Sequence, residues 1–144
     1  MQNNVNSKIQ FFSEDTAFNL KGKLRLRKWI QEVIASEQKK PWYINFIFCS
    51  DVYLLELNKT YLKHSTFTDV ITFPYEENET TVSGDIFISI ERVEDNAFTY
   101  GESFDRELHR VMIHGVLHLL GYEDKSADKK KEMTAREDLY LAQL

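Results

Sequence analysis

Apolar positions along the chain switch between a strand-like period of two and a helix-like period near 3.6. Residues 7–14, SKIQFFSE, suit a short edge strand. Over residues 24–38, Leu26, Trp29, Ile30, Val33 and Ile34 recur at helical spacing and share one face. Residues 41–50, PWYINFIFCS, follow Pro41 with aromatic and β-branched side chains, the composition of a buried strand. Ser50 and Asp51 can cap a helix through VYLLELNKTYL. Residues 68–76 (TDVITFPYE) and 83–90 (SGDIFISI) predict two strands around a polar turn, hence an antiparallel hairpin. A helix follows from about Glu91 to Tyr100. Ser103 then opens a long helix that Gly121 ends, and Ser126 caps a last one running to the C-terminus.

The predicted order is βαβαββααα, with strands gathered toward the first half and helices toward the end. That is an α+β fold, a single domain over residues 1–144 with a small mixed β-sheet and helices packed on it. A helix joins the first two strands, so they can lie parallel. The composition agrees: 144 residues, 42% hydrophobic, with ten Phe and seven Tyr, are enough for one sizeable core. No apolar run is long enough to span a membrane, and the first fifteen residues lack a secretory signal pattern. The single Cys49 excludes an internal disulfide framework and suits a reducing cytoplasm; its apolar surroundings predict a buried, inert thiol.

The net charge of −5 disfavours a polyanionic partner on average. Residues 21–28, KGKLRLRK, are a local exception with five basic residues. Lys21, Arg25 and Lys28 fall away from the apolar face of the first helix, so they present positive charge to solvent.

The chemistry concentrates in HRVMIHGVLHLLGYEDKSADKK, residues 109–130. His114 and His118 stand four apart on a helix that is otherwise nearly all apolar, so both imidazoles can point at one atom. Burying an unpaired imidazole costs on the order of 1–3 kcal/mol. A shared metal ion removes that cost, and hydrogen bonds to carbonyls or carboxylates are the plainer alternative. Gly115 leaves room for something to approach the helix closely. Gly121 can turn the chain back, bringing Asp124 to the same point as a third ligand. Two imidazoles and one carboxylate leave a fourth position open, the pattern of a catalytic site. His109 falls about 140° away around the helix and should face elsewhere. Gly115 also stands where the HExxH zinc proteases carry their general base, which argues against that class.

The stretch HGVLHLLGYED resembles the motif HGxLHLxGYDH of the YbeY family of bacterial metal-dependent endoribonucleases that mature ribosomal RNA. The likeness extends through LNKTYLKHSTFTDVITFP (57–74), SGDIFISI (83–90), REL (106–108) and the region of Met133. It implies an α+β metalloprotein with its metal-binding motif on a buried central helix, one divalent ion of the zinc type, and cleavage of single-stranded RNA. The implied partners are ribosomal RNA and ribosome-associated factors, with no membrane. In register, the family's third histidine is Asp124 here, a harder ligand that also suits Mn, Fe or Ni. An arginine that the family usually carries after its LN element is replaced by Leu62. Lys63 and His64 follow it and become the catalytic candidates, since either can meet charge on a phosphate, though neither offers arginine's two-pronged fork. The implied reaction rests on a metal-activated water that attacks phosphorus or takes the ribose 2′ proton. With RNA as substrate, Lys21, Arg25 and Lys28 become candidates for holding its backbone.

Two other readings of the residues stand beside this one. A His-His-Asp set also matches the facial triad of non-haem iron oxygenases, though those ligands sit on a β-barrel that this pattern does not offer. The metal could also be structural, in a ribosome-biogenesis binding factor without catalytic activity.

Overall fold

A computed structural model describes residues 8–76 and 78–144. The elements run β1 (Ile9–Ser13), α1 (Lys23–Ser36), β2 (Lys40–Cys49), α2 (Asp51–Leu62), β3 (Val70–Pro74), β4 (Thr81–Ser89), α3 (Ile90–Tyr100), α4 (Phe104–Leu119) and α5 (Ala127–Leu141). This is the predicted succession. The strands form one sheet in the order β1-β2-β4-β3, with β1–β2 and β2–β4 parallel and β3–β4 antiparallel. Ser7 of the first predicted strand and Glu77 of the hairpin turn lie outside the described residues.

Alternation along β2 explains the two faces of the sheet. Ile44, Phe46 and Phe48 are buried on one side, in a core shared with Leu26, Trp29, Ile30, Val33 and Ile34 of α1 and Leu108, Met112 and Val116 of α4. Each such side chain contributes roughly 1.5–3 kcal/mol through its burial. Cys49 faces the other side in a smaller cluster with Leu54 of α2 and Ile71 of β3. Burial, with the nearby charges of Asp15, Asp51 and Glu14, pushes its thiol up to about 12, as an inert buried cysteine requires.

The three predicted serine caps are formed, and a fourth joins them. The hydroxyls of Ser50, Ser89, Ser103 and Ser126 each accept a backbone N–H in the first turn of α2, α3, α4 and α5; Ser89 had not been singled out from the sequence. At the far end of α4, Gly121 takes φ +105°, and the N–H groups of Gly121 and Tyr122 donate to the carbonyls of His118 and Leu117. That paired closure reverses the chain at once.

Helix α4 lies directly against the sheet, and Gly115 sets the distance. A β-carbon at this position would sit 2.6 Å from Cγ2 of the fully buried Ile86 in β4. The room left by Gly115 is therefore filled by the sheet. On an uncrowded helix, Gly→Ala stabilises by up to about 1 kcal/mol. Here overpacking against a stiff β-branched side chain opposes it by about 1–3 kcal/mol. Gly115→Ala is expected to lower the unfolding free energy by about 1–2 kcal/mol in urea titrations. A stabilised variant would contradict this packing.

Candidate metal centre

The spacing that places His114 and His118 on one face of α4 brings their Nε2 atoms to 3.0 Å. The turn at Gly121 returns the chain so that Oδ2 of Asp124 lies 3.4 Å from both. These three atoms make a nearly equilateral triangle. Tetrahedral coordination with metal–ligand bonds of about 2.0–2.2 Å sets neighbouring ligand atoms about 3.3–3.6 Å apart. The two edges to Asp124 match at 3.4 Å, and the 3.0 Å edge between the imidazoles needs only a small opening to hold one divalent ion. His114, His118 and Asp124 are the group among the described residues whose donor atoms converge in this way. Glu123 points elsewhere: it is exposed and pairs with Lys129 at 3.5 Å.

A second layer holds the first. Nδ1 of His114 lies 2.6 Å from Oε2 of the buried Glu137 on α5. In the neutral ring, Nδ1–H donates to that carboxylate and leaves the Nε2 lone pair facing the triangle, the usual support of a metal-binding histidine. Arg110, one turn before His114, reaches Oε1 of Glu137 at 2.9 Å and Asp138 at 2.8 Å. The guanidinium thus fixes the carboxylate that fixes the imidazole.

The two rings sit in different fields. Burial disfavours charge on His114, but the bond to Glu137 and the charges of Glu137, Asp69 and Asp124 outweigh it and hold this imidazole above its ordinary range. Burial and the neighbouring His114 push His118 below its ordinary range, against the opposing pull of Asp124. A neutral His118 is the form that binds metal. Burial likewise raises the carboxyl of Asp69, with His114 opposing it.

The triangle opens into a cavity of about 630 Å³, a size that accommodates a small ligand or part of a polymer. His114, His118 and Asp124 line it together with His64, Leu62, Phe67, Asp69 and Lys125. Of the catalytic candidates, His64 therefore joins the site. Lys63 adopts a left-handed conformation at the end of α2, is exposed, and is not among the residues lining the cavity. Leu62, where the resembling family carries arginine, is part of the wall. Lys21, Arg25 and Lys28 are exposed as expected. Lys21 and Arg25 border a separate cavity of about 360 Å³ beside the start of α4, so they are not gathered with the triangle. His109 is turned away onto Trp29, with ring centroids 6.2 Å apart.

Glu137, Arg110, Asp69 and Lys125 are the site residues that the sequence reading missed. Glu137 comes 23 positions after His114, and its signal was its place at helical spacing with Met133, Tyr140 and Leu141 on the buried stripe of α5. Arg110 had one available signal, its place one turn before His114. Lys125 directly follows Asp124, and its charge was not weighed. Asp69 sits inside a quoted motif but was read only as part of a strand.

The family model described as Endoribonuclease YbeY matches residues 9–144. The chain is 49% identical over 133 residues to a protein named Endoribonuclease YbeY from Amoebophilus asiaticus, covering 92% of this chain and 90% of that one. It is 45% identical over 134 residues to a protein of the same name from Cytophaga hutchinsonii, covering 93% and 94%. The fold is similar to the solution structure of TM1509 from Thermotoga maritima, with a TM-score of 0.65, 31% identity, and coverage of 92% and 86%.

Glu137→Gln keeps the shape of the side chain but removes the charge that orients His114. It is expected to weaken divalent-ion affinity about 10- to 100-fold in calorimetric titrations of metal-free protein. Glu123→Ala is expected to titrate like the unmodified protein. A loss of affinity with Glu123→Ala and none with Glu137→Gln would contradict the geometry.

Proposed function

The chain belongs to the Endoribonuclease YbeY family, and on that premise we propose that it is a metal-dependent endoribonuclease. Its substrate in this reading is single-stranded RNA, cut during ribosomal RNA maturation and quality control in the cytoplasm alongside ribosome-associated factors. The observation that carries the proposal is the 3.0–3.4 Å triangle of His114, His118 and Asp124 at the floor of an open cavity.

A divalent ion bound there, of the zinc type or a harder one favoured by Asp124, supplies a water of lowered pKa and an electrophile for a phosphoryl oxygen. Glu137 keeps His114 in the right tautomer and orientation. His64 stands in the cavity wall where it can hydrogen-bond a phosphate oxygen. Its backbone N–H is tied to Asn58 O at 3.1 Å, which anchors that stretch of chain. Lys63 lends positive charge outside the wall. Lys125 is the one lysine or arginine in the wall, so it offers charge that the family's arginine provides elsewhere. The exposed Lys21, Arg25 and Lys28 hold the RNA backbone away from the cut.

Two outcomes test this. Metal-loaded protein is expected to cleave an unstructured RNA and to stop on addition of chelator. Asp124→Ala should abolish cleavage without unfolding the chain, and Asp124→His should retain part of it. Cleavage that persists both in chelator and in Asp124→Ala would refute the mechanism. Replacing Lys21, Arg25 and Lys28 together by alanine should reduce the slope of log binding constant against log salt by about 2, at roughly 0.7 per phosphate contact on a single strand. An unchanged slope would return these residues to plain surface.

A further inference from the structure

Phe67 is exposed on a segment that is otherwise polar, between Lys63 and Asp69. It keeps 52% of its surface open and forms part of the wall of the cavity that holds His114, His118 and Asp124. A single exposed aromatic is ordinary on a protein surface. Phe67 differs in being fixed from two sides. The buried Asn58 of α2 donates from Nδ2 to the carbonyl of Thr66 at 2.8 Å, pinning the backbone beside it. The guanidinium of Arg92 lies over the Phe67 ring, 5.2 Å from its centroid. Arg92 is itself clamped by Asp51 at 2.6 Å and Asp95 at 3.3 Å, and the hydroxyl of Ser89 donates to Asp51 at 2.8 Å.

We propose that Phe67 is a stacking platform for one nucleobase of the RNA strand, next to the phosphate presented to the His114–His118–Asp124 triangle. The inference rests on the endoribonuclease reading and deepens it by assigning a base subsite. Unpaired bases lie flat on aromatic rings whatever their sequence, and a ring already held in place loses little freedom when a base joins it. The wall around Phe67 suits the rest of a nucleotide. Thr66, Thr68 and Thr72 bring hydroxyls, and Leu62, Val70 and Ile71 bring apolar surface. A duplex keeps its bases stacked inside, so a platform of this kind selects single strands.

The test uses metal-loaded full-length protein and two forms of one unstructured RNA decamer. The cleavable form is used for kinetics. A phosphorothioate, 2′-O-methyl form that resists cleavage is used for binding by fluorescence anisotropy. In each, a single abasic nucleotide is walked along the strand. The unmodified protein should lose about 5- to 150-fold in affinity when the abasic position meets Phe67. Phe67→Ala should show a similar loss on the intact strand and no further loss at that abasic position. Its cleavage defect should fall on KM. Phe67→Tyr and Phe67→Trp should restore binding. Unchanged affinity in Phe67→Ala would overturn the platform, and so would a weakened variant whose abasic profile still matches that of the unmodified protein. Binding that shows the Phe67 signature without any cleavage would overturn the endoribonuclease reading and leave the platform supported. Protein that neither binds nor cleaves would overturn both.

Discussion

The contact between Gly115 and Ile86 sets how closely α4 lies on the sheet, and the cavity beside its histidines follows from that distance. A helix pressed onto β4 must bury most of its circumference, which α4 does with Val111, Met112, Ile113, Val116 and Leu117. His114 and His118 occupy the side that remains partly accessible, one turn apart, with their Nε2 atoms converging. Backing α4 away from the sheet would carry His114, His118 and Asp124 together away from Val70, Ile71 and Thr72 of β3, which line the same cavity. Packing on the sheet therefore shapes the cavity, while the turn at Gly121 brings Asp124 to the two imidazoles.

Electrostatics completes what packing positions. Two imidazoles 3.0 Å apart repel each other when both are charged, and burial adds to the penalty. The surrounding carboxylates resolve this unevenly. Glu137, Asp69 and Asp124 favour charge on His114, whereas burial and His114 itself disfavour it on His118. Arg110 keeps Glu137 in place and offsets its charge. A divalent ion fits this negative surround and satisfies both rings through their lone pairs. The same economy of fixed partners recurs at Phe67, whose ring is held by an arginine that is held in turn by two aspartates.

How much of this was legible in the sequence depends on how local each feature is. The i,i+4 histidines, the glycine turn and Asp124 lie within eleven consecutive residues, so helix geometry alone assembles them. The strand character of β2, the caps at Ser50, Ser103 and Ser126 and the antiparallel hairpin were readable for the same reason. Glu137 was not, because only the docking of α5 on α4 brings it to His114; its one local sign is its place at helical spacing between Met133 and Tyr140 on the buried stripe of α5. The meaning of Gly115 was half visible: the sequence showed room beside the helix, and only the sheet register identified Ile86 as its occupant. Lys63 and His64 are adjacent in sequence, yet the left-handed end of α2 places only His64 in the cavity wall. Sequence adjacency could not separate them.

The most direct test of the account is anomalous diffraction from crystals of the purified protein, collected on both sides of the absorption edge of whichever divalent metal elemental analysis finds. The account predicts one strong peak within coordination distance of Nε2 of His114, Nε2 of His118 and a carboxylate oxygen of Asp124, open on its remaining side to the cavity lined by His64 and Phe67. A peak held by other residues, or a fully folded protein that takes up no metal at these three side chains, would contradict it.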